Sequence, residues 1–140
     1  MRGAAALSVL LAMPLVAAAE RPADWVGSWY SETSYDGKNH VDHMRQLRVF
    51  KVDGTLTDTR RLYAGSEVVS EIVARYQWGV ENKVYWIVCR TTEVNGAAPR
   101  ACDERFESEI LSVDPRVIRY RRKDGSVVAL QRVRHDFKLP

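Results

Sequence analysis

Between residues 26 and 134 the chain is a regular succession of strand-like segments, rich in Val, Thr, Tyr, Trp and Ile, broken by turn residues and without helical periodicity. Eight strands are expected, at 26–34, 44–52, 55–63, 68–80, 83–92, 102–113, 116–123 and 126–134. The joints are Asp53-Gly54, Ala64-Gly65-Ser66, Glu81-Asn82, Asn95-Gly96 with Pro99, Asp114-Pro115 and Asp124-Gly125. Consecutive hairpins make a meander, and a meander of this size removes its edges by closing on itself. The expectation is therefore an all-β, eight-stranded antiparallel up-and-down barrel. The one long early connection, 35–43, is polar and contains Gly37, which suits a flap over one barrel mouth.

Alternation fixes several registers. A three-residue turn with Gly125 in the left-handed region sets Tyr120 opposite Val128 and Ile118 opposite Leu130. The same turn at Val52-Asp53-Gly54 sets Phe50 opposite Leu56 and Arg48 opposite Asp58, an attractive cross-strand pair. A tight turn at Glu81-Asn82 predicts Trp78 opposite Tyr85 and Tyr76 opposite Ile87. If Cys89 faces Cys102, that register sets Tyr85 opposite Phe106 and Ile87 opposite Glu104. Trp78, Tyr85 and Phe106 would then form one aromatic row, either a barrel core or a ligand wall.

Residues 1–19 have the build of a signal peptide: Arg2, an apolar run at 4–16, and Ala17-Ala18-Ala19 as a small-x-small cleavage site. That run is shorter than the roughly 20 residues a bilayer span requires. The expected product is a single domain at 20–140, periplasmic or secreted, with no membrane span. Cys89 and Cys102 are the two cysteines, and in an oxidising compartment they pair as one disulfide. The formal charge is only +3. The basic run Arg119–Lys123 alternates between strand faces, so no nucleic-acid partner is expected.

Catalytic motifs are missing: there is no Gly-x-Ser-x-Gly, His-Glu-x-x-His, P-loop or Rossmann glycine pattern. His40-x-x-His43 beside Asp42 reads as a solvated loop, so neither a metal nor another cofactor is expected. Glu104 falls by alternation on the apolar face with Cys102, Phe106, Ser108 and Ile110, where a carboxylate must find a partner. The chain is read as a non-enzyme.

Gly27-Ser28-Trp29 on the first strand resembles the Gly-x-Trp of the lipocalin and wider calycin superfamily. The resemblance implies a lipocalin-like barrel in which Trp29 closes one end beneath a cation from the last strand, Arg132 or Arg134. It also implies a lumen holding a small apolar or amphipathic ligand. Tyr76, Trp78, Tyr85 and Phe106 are the expected walls, with Glu104 and Arg132 as polar contacts. The alternative is a protein-binding barrel, such as an exported protease or lysozyme inhibitor. A cavity of about 300 Å³ or more separates the first reading from a filled core.

Overall fold

The computed structural model describes residues 22–37 and 40–140, so the signal peptide expected over 1–19 lies outside the described residues. The strands are β1 (Gly27–Ser34), β2 (His43–Phe50), β3 (Thr55–Ala64), β4 (Glu67–Glu81), β5 (Val84–Val94), β6 (Arg100–Ala101), β7 (Arg105–Val113), β8 (Val117–Arg122) and β9 (Val127–Val133). The eight long strands form one antiparallel ring in chain order. It closes where β1 meets β9, with Ser28 opposite Val133 and Trp29 opposite Arg132. The two-residue β6 is a short addition to β5. This is a closed, eight-stranded up-and-down barrel.

Two turns formed as the alternation required. Phe50 faces Leu56 and Arg48 faces Asp58, while Ile118 faces Leu130 and Tyr120 faces Val128. In each case the larger apolar residues share the inner face, since a one-residue slip would turn them all outward.

The middle hairpins differ from expectation by two positions. The β4–β5 turn is Asn82-Lys83, both with positive φ (49° and 63°), not Glu81-Asn82. That two-residue geometry matches the twist of the flanking strands. It sets Val80 opposite Tyr85 and Trp78 opposite Ile87, and a bulge at Arg75/Tyr76 then brings Tyr76 opposite Cys89. On the other side of β5, Tyr85 faces Ser108 and Ile87 faces Phe106. The strand expected at 102–113 begins only at Arg105, and the irregular stretch 102–104 separates it, as β7, from the short β6 ahead of it. Glu104 lies in that interruption and is exposed, not inward-facing. The row Trp78–Tyr85–Phe106 is therefore not formed.

One end is sealed by aromatic packing. The turn Ala23–Trp25 drops the Trp25 ring against Tyr85, Phe50 and Trp78, with centroids 4.9, 5.6 and 6.3 Å away. Trp29 is 0% exposed and its Nε1 donates to Trp25 O at 2.8 Å. Arg132 lies over the Trp29 ring, 4.2 Å from its centroid. Its nitrogens also donate to the carbonyls of Pro115, Val26 and Asp24 at 2.7, 3.0 and 2.7 Å. Gly27 is required at this point. Its φ is +129°, and a Cβ there would sit 2.6 Å from Arg132 Nη1. Arg134 pairs instead with Asp136 on the surface.

Cys89 and Cys102 are joined as a disulfide across 13 positions, tying the interruption back to β5. Removing it with Cys89→Ala/Cys102→Ala should cost roughly 3 kcal/mol, as loop-closure entropy for a ring of that size suggests. Trp29→Ala should cost about 3–5 kcal/mol as a large-to-small core change. Urea unfolding reads both, and a loss below about 1 kcal/mol for Trp29→Ala would mean that the tryptophan does not seal the barrel.

Candidate functional site: a polar lumen

Alternation along β2 and β3 puts more than apolar groups inside. Phe50 is inward, so Arg48, Gln46 and Met44 are inward too; Leu56 is inward, so Asp58 and Arg60 follow. Asp58 is 0% exposed, and the Arg48 side chain is 5% exposed. A charge in such a place must be paired and hydrogen-bonded. Gln46 Nε2 donates to both Asp58 oxygens at 2.9 and 2.8 Å, and Ser31 Oγ holds Gln46 Oε1 at 3.3 Å. Arg60 Nη2 reaches Asp58 Oδ2 at 3.2 Å and donates to the Tyr76 hydroxyl at 2.9 Å. Arg48 Nε lies 3.4 Å from Asp58 Oδ2, without the alignment of a hydrogen bond. Its Nη1 donates to the hydroxyls of Tyr120 and Tyr85.

Above this floor opens a cavity of about 470 Å³. Tyr76, Tyr85, Ile87, Tyr120, Gln46, Arg48 and Arg60 line its lower part. Tyr35 from the β1–β2 connection, Met44, Phe106, Glu107 and Ser108 of β7, Arg122 at the end of β8 and Lys123-Asp124 of the following turn line the rest. Tyr35 and Phe106 are 46% and 48% exposed, which places apolar surface at the entrance. Arg105, also in the wall, is held over the Trp86 ring and by Glu107.

Electrostatics follow from the shortage of carboxylates. Two guanidinium groups share Asp58, and among the described residues neither Arg48 nor Arg60 pairs with another acid. Burial works against the Arg48 charge, but the oxygens of Tyr120, Tyr85 and Asp58 outweigh it and its pKa is raised. Burial pushes the Tyr85 hydroxyl up as well, so it keeps its proton at neutral pH. Tyr76 is raised for the same leading reason.

The expected wall residues divide. Tyr76, Tyr85 and Phe106 line the cavity. Trp78 is core, 0% exposed beneath it, with its Nε1 bonded to Lys51 O. Arg132 stands at the sealed end and Glu104 outside the barrel, so neither supplies the lumen's polar contacts. Arg48, Arg60, Asp58, Gln46 and Tyr120 were not expected there. The signal for them was available, because the turn that pairs Phe50 with Leu56 gives Arg48 and Asp58 the same parity as those apolar residues.

Elsewhere, a shallow depression of about 880 Å³ lies on the outer wall between residues 115–117, 131–134 and 136–137. Arg132, its central cation, is already committed to three carbonyls. In the flap, His43 is bonded to Asp42 and stacked on Tyr63 at 4.6 Å. Asp42 accepts from the backbone N–H of Gly65, which, with His43, holds its pKa below the usual carboxylate range. Among the described residues no group of three or more His, Cys, Asp or Glu side chains gathers as a metal site would. No protein-family model and no curated protein matches this chain.

Asp58→Ala should destabilise the barrel by about 3–5 kcal/mol, because it leaves Arg48 buried without its carboxylate. Urea unfolding of the variant measures it. A loss under about 1 kcal/mol would show that the two arginines do not depend on Asp58.

Proposed function

We propose that the chain is an exported lipocalin-like barrel that takes a small amphipathic molecule into its lumen. The observation that carries this reading is the cavity of about 470 Å³, sealed at one end by Trp25 and Trp29 and open at the other. That volume lies within the usual range for small-molecule sites, and the mixture of apolar wall and a few convergent polar groups is their usual lining. The Cys89–Cys102 disulfide and the expected signal peptide support export, since such bonds persist in oxidising compartments. Among the described residues no helix is long and apolar enough to cross a membrane. The Gly27-Ser28-Trp29 motif beneath Arg132 supports the lipocalin-like description.

A protein-binding barrel is the second reading, favoured by Val68, Val69 and Val94, which are exposed on β4 and β5. The two separate on ligand titration. Tryptophan fluorescence of the folded protein should show saturable, one-to-one quenching by an amphipathic probe, weakened several-fold in Phe106→Ala. No response to fatty acids, retinoid-like or haem-like probes would overturn the ligand reading in favour of a protein partner.

A further inference from the structure

The hydrogen-bonding inventory of the lumen floor is one-sided. Asp58, the only carboxylate in contact with Arg48 and Arg60 among the described residues, already receives Gln46 and Arg60, with Arg48 beside it. The hydroxyls of Tyr85 and Tyr120 accept from Arg48, and that of Tyr76 accepts from Arg60. Each hydroxyl therefore still carries a proton to donate, and none of the three donates to another described residue. Arg48 Nη2 likewise makes no hydrogen bond there. All four donors belong to residues that line the cavity. A phenol or guanidinium supplies donors in fixed directions, and an unused donor at a partly desolvated site is costly.

From this surplus we infer that the ligand bears an oxyanion head group and enters head-first, with the head seated between Arg48, Tyr85 and Tyr120. The inference rests on the lumen reading and deepens it by naming the ligand's chemistry. A cation would face a floor with one carboxylate already committed and two guanidiniums. A neutral alcohol could use some of the donors but would leave the excess positive charge unbalanced. A carboxylate or a similar oxyanion accepts from several donors at once and offsets the second guanidinium, and charged acceptors make the stronger bonds. The remainder of such a molecule would lie against Ile87, Met44 and Phe106 toward the entrance. At the entrance Arg122 and Lys123 stand beside Asp124, and Glu107 is taken up by Arg105, so the balance of charge there is still positive, the sign that draws an anion in.

Titration calorimetry with three probes sharing one alkyl chain separates the possibilities: decanoate, decanol and decyltrimethylammonium, each below its micelle concentration at pH 7.5. Decanoate should bind at least about tenfold more tightly than decanol, and the ammonium probe should bind weakest. Tyr85→Phe and Tyr120→Phe keep the ring and remove one donor each. Each should weaken decanoate several-fold and leave decanol unchanged. Arg48→Met, if it folds, should abolish the advantage of decanoate. Equal affinity for decanoate and decanol would overturn the oxyanion inference while leaving the lumen reading intact. Tightest binding by the ammonium probe would do the same. Failure of all three to bind would overturn the lumen reading, and this inference with it.

Discussion

A permanently charged guanidinium is held inside a barrel only eight strands round, and most of the interior is arranged around it. Taking Arg48 out of water is costly unless its charge and its donors are met. Asp58 on the facing strand supplies the charge, and Tyr85 and Tyr120, from the far side of the ring, supply the oxygens. Asp58 is fixed in turn by Gln46, and Gln46 by Ser31, so three neighbouring strands are linked through side chains as well as backbone. Networks of this kind raise the stakes of every member, since one unpartnered group in low dielectric forfeits the gain from the others.

The barrel interior is consequently built in two layers. Near the sealed end, Trp25, Trp29, Phe50, Trp78, Leu56, Ile118 and Leu130 fill the space with apolar side chains. Above them lies the polar layer, and there the cavity opens. The aromatic plug makes the lumen blind at one end, and Arg132 pins that plug by gripping the carbonyls on both sides of it. Access is left to the end ringed by Tyr35, Phe106 and the β8–β9 turn.

Local chemistry made part of this legible in the sequence. Period-two patterning and turn residues were enough for the barrel, and the Gly54 and Gly125 turns were enough for two registers. The β4–β5 register was missed because Asn82 and Lys83 adopt positive φ together, which lysine seldom does. The β5–β7 register is not legible because nothing in the sequence marks a break at Cys102, and a cross-strand disulfide implies a rung of a continuous ladder. Cys102 instead sits in an interruption that shifts every later pair by two. The lumen's polarity is hidden for a different reason. The pairing of Arg48 with Asp58 is legible, but a facing charge pair is most often a solvated one, and only its shared parity with Phe50 and Leu56 marks it as inward. Aromatic residues serve equally as ligand wall and as core, and Trp78, fully buried, is core.

The central claim is that the buried guanidinium is the polar anchor of a binding lumen. A crystal structure of the protein with a fatty acid brominated at its terminal carbon tests it most directly. The carboxylate should lie within hydrogen-bonding distance of Arg48 Nη2 and the Tyr85 and Tyr120 hydroxyls, with the anomalous bromine peak near Phe106 and Met44. Bromine at the floor with the carboxylate at the entrance, or the acid bound only on the outer wall, would contradict the account.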